Sequence, residues 1–252
     1  MTEELCRYRE WDSQFFGRRI AEVLGRRLSP EQVPEVLAWC TQQAIDCLYF
    51  LADPDDAETV RMAEDSRFRL VDIRLTLATP IASLAPERGW ELACVRTAVA
   101  RDVSALKAVA ATGHRISRFY YDGHFPGARC DALYETWIEK SCNGYAEAVL
   151  VLDVGGRAGG YISCHLREGG VGQIGLMGVA NDLHGQGGGS RLVQASLAWF
   201  AERGCREVIV VTQARNCRAQ RLYQRAGFVT RTTQLWYHRW PQPGDRDAAE
   251  AR

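Results

Sequence analysis

The segment His184-Gly185-Gln186-Gly187-Gly188-Gly189-Ser190-Arg191-Leu192 constrains this chain more than any other: four glycines fill five positions directly ahead of an amphipathic helix. Glycine takes backbone angles that side chains exclude and lets a second molecule approach the main chain closely. A helix N-terminus leaves N–H groups unpaired at the positive end of its dipole. Together they make a cradle for phosphate. The apolar run 174–179 ahead of the glycines reads as a strand, so the unit is strand, glycine loop, helix. The helix carries Leu192, Val193, Leu197, Phe200 and Ala201 on one face. A flexible linker would not usually stand between two such regular elements.

The spacing excludes two familiar phosphate loops. The dinucleotide pattern G-x-G-x-x-G, counted from Gly185 and Gly187, needs a glycine where Ser190 stands. The P-loop needs Gly-Lys-Ser/Thr at its end, and here Gly189-Ser190 is followed by Arg191. Downstream, 205–212 reads as a strand dense in β-branched residues. Asn216, Ala219, Leu222, Tyr223, Gly227 and Phe228 follow. Asn216 suits a helix N-cap, and Gly227 suits the left-handed position that ends a helix. Tyr223 lies seven residues beyond Asn216, close to two turns, which puts both on one helix face.

The loop and this second segment together resemble the GNAT superfamily of N-acetyltransferases. That family's acyl-CoA loop runs Arg/Gln-x-x-Gly-x-Gly/Ala, matched here by Gly187 and Gly189. Its N-x-x-A-x-x-L-Y-x-x-x-G-F signature is matched from Asn216 to Phe228. The resemblance implies an α+β fold: a mixed, largely antiparallel twisted sheet flanked by helices. It implies acetyl-CoA as cosubstrate and no metal. The backbone of Gly185, Gln186, Gly187, Gly188, Gly189 and Ser190 would bind pyrophosphate. The pantetheine arm would lie along the strand at Met177 and Val179, with a backbone N–H there polarising the thioester. Asn216 would contact the arm, and Tyr223 would act as general acid, the other reading being a core aromatic. His184 stands where the family usually has Arg or Gln. An imidazole there implies weaker phosphate attraction.

The base is less defined. The stretch before the loop offers Gln173 and no carboxylate. His165 has a pKa suited to neutral pH, and Glu168, a water chain or an amine that arrives neutral are the alternatives. Cys217 is a weaker candidate for a nucleophile at the thioester.

Composition narrows the class. Of 252 residues, 46% are hydrophobic and 25% charged, as in ordinary globular chains. The formal net charge of +0 gives no basic field, so neither nucleic acid nor a membrane surface is expected as partner. No apolar run is long enough to span a bilayer, and Met1–Leu5 does not look like a signal peptide. The nine cysteines are scattered and form no C-x-x-C pair, which reads as free thiols in a cytoplasmic protein. The five histidines show no metal-ligand spacing.

Prolines between Thr79 and Glu87 suggest a boundary. Residues 1–85 then form a small α/β domain, with helices near 30–43 and 57–64 and strands at 48–51 and 70–77. Residues 91–240 form the acetyltransferase domain. Strands are expected at 92–100, 148–154, 157–165 and 171–180, and helices at 102–111 and 131–140. A hairpin turns at Gly155-Gly156. Residues 241–252 read as a disordered tail.

A narrower resemblance rests on Trp11-Asp12-Ser13-Gln14-Phe15-Phe16-Gly17, on Ser117-Arg118-Phe119 with Asp122, and on 133–138. These are similar to the dTDP-fucosamine acetyltransferases of bacterial surface-polysaccharide synthesis. It implies that the acceptor is the 4-amino group of a nucleotide-linked deoxysugar, with Arg118 and Tyr121 as substrate contacts, since Arg suits phosphate bidentately. Core packing for the aromatics and a surface ion pair for Arg118 are the alternatives. Other acceptors, such as an antibiotic, a small metabolite or a protein amine, stay open. So do a non-catalytic acyl-CoA-binding module and a homodimer.

Overall fold

The computed structural model describes residues 4–83 and 94–241. In chain order the elements are β1 (Cys6–Tyr8), α1 (Glu10–Phe16), β2 (Ile20–Val23), α2 (Gln32–Gln42), β3 (Cys47–Ala52), α3 (Ala57–Asp65) and β4 (Arg69–Pro80). After these come β5 (Val95–Thr97), α4 (Val103–Gly113), α5 (Arg118–Asp122), α6 (Gly127–Lys140), β6 (Ala148–Val154) and β7 (Arg157–Arg167). The chain closes with β8 (Val171–Val179), α7 (Gly188–Glu202), β9 (Glu207–Gln213), α8 (Cys217–Arg225) and β10 (Val229–Arg239).

By contacts the chain divides into two units. The first takes the residues up to Arg74, Arg118–Phe125 and those from Thr233 onward; the second takes Leu75–Ser117 and Pro126–Thr232. The composition of the sequence suggests a sequential division between residues 85 and 91. The observed boundaries instead fall inside β4 and β10. The reason is strand pairing: Leu235–Arg239 of β10 lie antiparallel to Leu48–Ala52 of β3, so the end of the chain completes the sheet of its beginning.

In the first unit the strand order is β1-β2-β3-β10. Its core gathers Ala21, Leu28, Val36, Leu48, Phe50, Ala63, Phe68 and Tyr237. All six residues of β3 are buried, which is why that strand reads as an unbroken apolar run. Helix α1 ends at Gly17 with φ 64°.

In the second unit the order is β4-β9-β8-β7-β6-β5. β6, β7 and β8 are antiparallel neighbours. Val154 pairs with Arg157 across a two-residue turn, and Gly155 and Gly156 have φ 60° and 82°, as a right-twisting hairpin requires. β8 and β9 are parallel and joined through α7. Helix α7 buries Leu192, Val193, Leu197 and Phe200 against Leu152, Ile162, Cys164 and Ile174. Each such side chain contributes roughly 1.5–3 kcal/mol of burial free energy. The fit is close: a Cβ at Gly172 would lie 2.5 Å from the Phe200 ring. Alternation on β7 sends Ile162 and Cys164 to this core and Tyr161, Ser163 and His165 to the opposite face. Helix α4 packs on β7 and on α6.

The expected strand at 92–100 is realised as β5; its first two residues, the 84–93 part of the suggested boundary and the tail from 242 lie outside the described residues. Among the described residues no helix is long and apolar enough to cross a membrane.

Candidate active site

The register of β8 with β9 runs from Val171↔Glu207 to Ile174↔Val210. Beyond that pair the two strands part. Gly175–Val179 on β8 and Val211, Thr212 and Gln213 on β9 then line a cleft of about 780 Å³. β8 keeps its antiparallel partner on both sides of this point, through Ile174↔Cys164 and then Met177↔Ile162, Gly178↔Tyr161 and Val179↔Gly160, with a register shift at Gly175 and Leu176, where the Leu176 N–H donates to the Ser163 hydroxyl at 2.8 Å. One edge of β8 is therefore paired with β7 on either side of this irregularity while Gly175–Val179 line the cleft.

The glycine loop closes one end of the cleft. Gly185 and Gly187 have φ 81° and 78°, angles that L side chains rarely adopt. Gly187 is the N-cap of α7. A Cβ at Gly188 would meet the Leu152 side chain at 2.6 Å, so glycine here lets α7 sit down on the sheet. The loop residues Gly185, Gly187, Gly188, Gly189 and Ser190 line the cleft, as do Met177, Val179, His184, Asn216 and Tyr223. Gln186 is exposed, and its amide donates to the Asp182 carbonyl.

Helix α8 forms another wall. The Asn216 side chain caps it, accepting from the Ala219 N–H at 3.1 Å. Gly227 ends it with φ 87°. Tyr223 is buried, and its hydroxyl reaches Met177 Sδ on β8 at 3.6 Å. Burial raises the phenol's pKa well above its ordinary value, so it keeps its proton at neutral pH.

His114, which caps the C-terminal end of α4 and which sequence reasoning did not single out, lines the cleft together with Tyr134 and Trp137 of α6, part of the 133–138 segment quoted for the narrower resemblance. His114 stacks on Tyr134 with ring centroids 4.3 Å apart. Its Nε2 meets the Tyr161 hydroxyl at 3.0 Å. Desolvation lowers the imidazole's pKa to about 4. Tyr161 lies under β8, where a Cβ at Gly178 would be 2.9 Å from its ring. Ser117 also lines the cleft; it is buried, and its hydroxyl has no hydrogen-bond partner among the described residues. Among the described residues no carboxylate contributes to the lining, whereas Arg218, Arg221 and Arg225 all do.

His165 sits elsewhere. It is buried on β7, outside the cleft lining, against Tyr145 and within 3.4 Å of the Ser163 hydroxyl. A Cβ at Gly175 would clash with it at 2.5 Å, so that glycine makes room for the ring. Burial and the nearby Arg167 lower its pKa. Arg118 and Tyr121 fall in the first unit, not in the cleft. The Arg118 guanidinium lies 4.3 Å from the ring centroids of both Tyr49 and Trp236, and Nη1 contacts His238 Nε2 at 2.5 Å. His238 Nδ1 is bonded to Asp122, which also accepts from Trp240 and meets His124. Cys47, Asp122 and His238 bring potential metal-ligand atoms within 4.8 Å of one another. Both His238 nitrogens are already engaged, however, so the group reads as a packed polar hub. Tyr121 is 54% exposed.

A strand pair that splits beside a glycine loop, with a protonated tyrosine across the gap, is the layout of an acyltransferase that takes its acyl group from a thioester. Residues 114–228 match the Acetyltransferase (GNAT) family. The chain thus contains a GNAT acetyltransferase domain and is an N-acetyltransferase. It is 27% identical over 232 residues to a dTDP-fucosamine acetyltransferase of Escherichia coli O6:H1, covering 91% of this chain and 95% of that one. A mycothiol acetyltransferase of Clavibacter sepedonicus is 33% identical over 109 residues, 43% of this chain and 34% of its own. A GCN5-related N-acetyltransferase structure from Sphaerobacter thermophilus shares the fold, with a TM-score of 0.67 and 17% identity over 94% of this chain and 76% of that one. Enzymes of this family generally use acetyl-CoA.

Proposed function

We propose that this chain acetylates the amino group of a nucleotide-linked amino deoxysugar, of the dTDP-4-amino type, using acetyl-CoA. The observation that carries the catalytic part is Tyr223. A buried, protonated phenol rests on Met177 where β8 leaves β9. The acceptor part is supported by similarity to the dTDP-fucosamine acetyltransferase along nearly the whole of both chains.

In this reading the left-handed Gly185 and Gly187 turn loop N–H groups, with those at the start of α7, toward the diphosphate. The free edge of β8 from Gly175 to Val179 pairs with the pantetheine arm as an added strand. A backbone N–H near Met177 to Val179 polarises the thioester carbonyl. The acceptor nitrogen forms the new C–N bond as the C–S bond breaks. Tyr223 gives its proton to the departing sulfur, and the nitrogen loses a proton to solvent. Among the described residues the lining offers no carboxylate as base, so this reading has the amine react in its neutral form. His114, Tyr134 and Trp137 supply flat faces for a sugar ring, and Ser117 a spare hydroxyl.

The test is a thiol-release assay with acetyl-CoA and a panel of amines. We expect dTDP-4-amino-4,6-dideoxygalactose to be turned over with kcat/KM at least ~100-fold above the free amino sugar, because losing the nucleotide removes remote binding energy. Equal rates with the free sugar would defeat the nucleotide-sugar reading. Preferential turnover of another amine would favour the second reading, for which the mycothiol relative is the observation.

A further inference from the structure

The family's loop usually begins with Arg or Gln, and this chain places His184 there. The structure shows what that histidine does. Its Nε2 lies 2.9 Å from the Val179 carbonyl, and its Nδ1 lies 2.9 Å from Arg218 Nη1. A carbonyl oxygen can only accept, so Nε2 carries the ring proton. A guanidinium can only donate, so Nδ1 presents its lone pair. Both ring nitrogens are used within the protein. His184 has no N–H left for a ligand, and it ties the end of β8 to the first turn of α8.

Arg218, by contrast, spends one N–H on His184, and among the described residues the rest of its fork forms no ion pair. It lines the cleft beside the glycine loop. Arg221 and Arg225 follow at i+3 and i+7 on the same face of α8 and line the same cleft; among the described residues neither forms an ion pair. A chain with a net charge of +0 has thus gathered three guanidiniums and, among the described residues, no carboxylate around one cleft. That asymmetry suits a ligand carrying several phosphates.

We propose that Arg218, oriented by His184, is the side chain that grips a phosphate of the CoA nucleotide, and that His184 is a positioning residue with no phosphate contact of its own. The cation has moved from the loop's first position to the facing helix. The inference rests on the acetyl-CoA reading above.

The test is titration calorimetry of the full-length chain with CoA, dephospho-CoA and pantetheine, in wild type, R218A, H184A and the double variant. Wild type should bind CoA; if it does not, the acetyl-CoA reading itself falls. Given that binding, R218A should weaken CoA about tenfold, as loss of a partly exposed charge-assisted hydrogen bond would. Pantetheine, which has no nucleotide, should bind both forms alike. H184A should weaken CoA by a smaller factor, and the double variant should bind as R218A does, because His184 acts only through Arg218. Dephospho-CoA separates two sources of the phosphate. A loss confined to CoA places Arg218 on the 3′-phosphate, and a loss shared by both places it on the pyrophosphate. Two results would overturn the proposal: unchanged CoA affinity in R218A, or an H184A loss that adds fully to that of R218A.

Discussion

At the scale of single residues, Tyr223 has the most to account for. Among the described residues its hydroxyl touches a thioether and no stronger partner, and burial holds its pKa well above the ordinary tyrosine value of about 10. A phenol that stays protonated across the neutral range is ready to give a proton and has no charged state to maintain. Y223F should keep CoA binding within about twofold by calorimetry while kcat falls ~10²–10⁴-fold, the usual span for a lost general acid. Wild-type kcat should show no decline on the alkaline side from this group below about pH 10, because its folded pKa is shifted upward. Tyr223, Asn216 and Gly227 were legible in the sequence because caps and helix ends are short-range devices. His114 and Arg218 were not, because a lone side chain gains meaning only from what folds against it.

At the scale of elements, β8, the loop and α7 act as one piece. Gly187 is the joint: a left-handed N-cap that starts α7 in the right direction. An L side chain at such an angle costs roughly 1–2 kcal/mol. G187A should therefore lower unfolding free energy by about that amount in urea denaturation. On the proposed placement of the diphosphate at the loop, it should also weaken CoA more than pantetheine. The hairpin of β6 and β7, the apolar face of α7 and the run of β9 were all readable from period and turn chemistry. The parting of β8 from β9 was not. Nothing between Ile174 and Val179 or between Val210 and Gln213 announces where a parallel register stops; it stops where β8 also shifts register against β7, at Gly175 and Leu176, beside Ser163 and His165 of that neighbouring strand.

For the whole molecule, the contact units run against chain order. The first unit is tied by a buried polar hub in which Arg118 donates to His238 Nε2 and His238 Nδ1 faces Asp122. Accepting from Arg118 keeps that imidazole uncharged, and burial lowers its pKa to about 4. An unfolded histidine binds its proton near pH 6.5. Between these values the unfolded chain binds a proton that the folded chain does not, so stability drops as pH falls from about 6.5 to 4, by up to ~1.4 kcal/mol per pH unit for one such group. Asp122, whose pKa is lowered in the fold, adds a loss below its ordinary range. Denaturation midpoints measured from pH 7 to 4 should show this slope. H238N should be less stable at pH 7 but have a flatter profile, and an equal slope in both would remove His238 as its source.

The sequence by itself determined the local pattern: a glycine loop leading into a helix, a capped helix carrying a tyrosine, and from these a GNAT domain. Such features depend on residues within a turn or two of each other, so they are written in order along the chain. The tertiary structure alone decided that Arg118 packs among aromatic rings while Arg218 faces the cleft, that His165 is buried and His114 lines the site, and that the C-terminal strand completes the first sheet. Each of these is set by contacts between segments far apart in sequence. Their pairing is chosen by the burial of whole faces, and no single stretch of the chain records that choice.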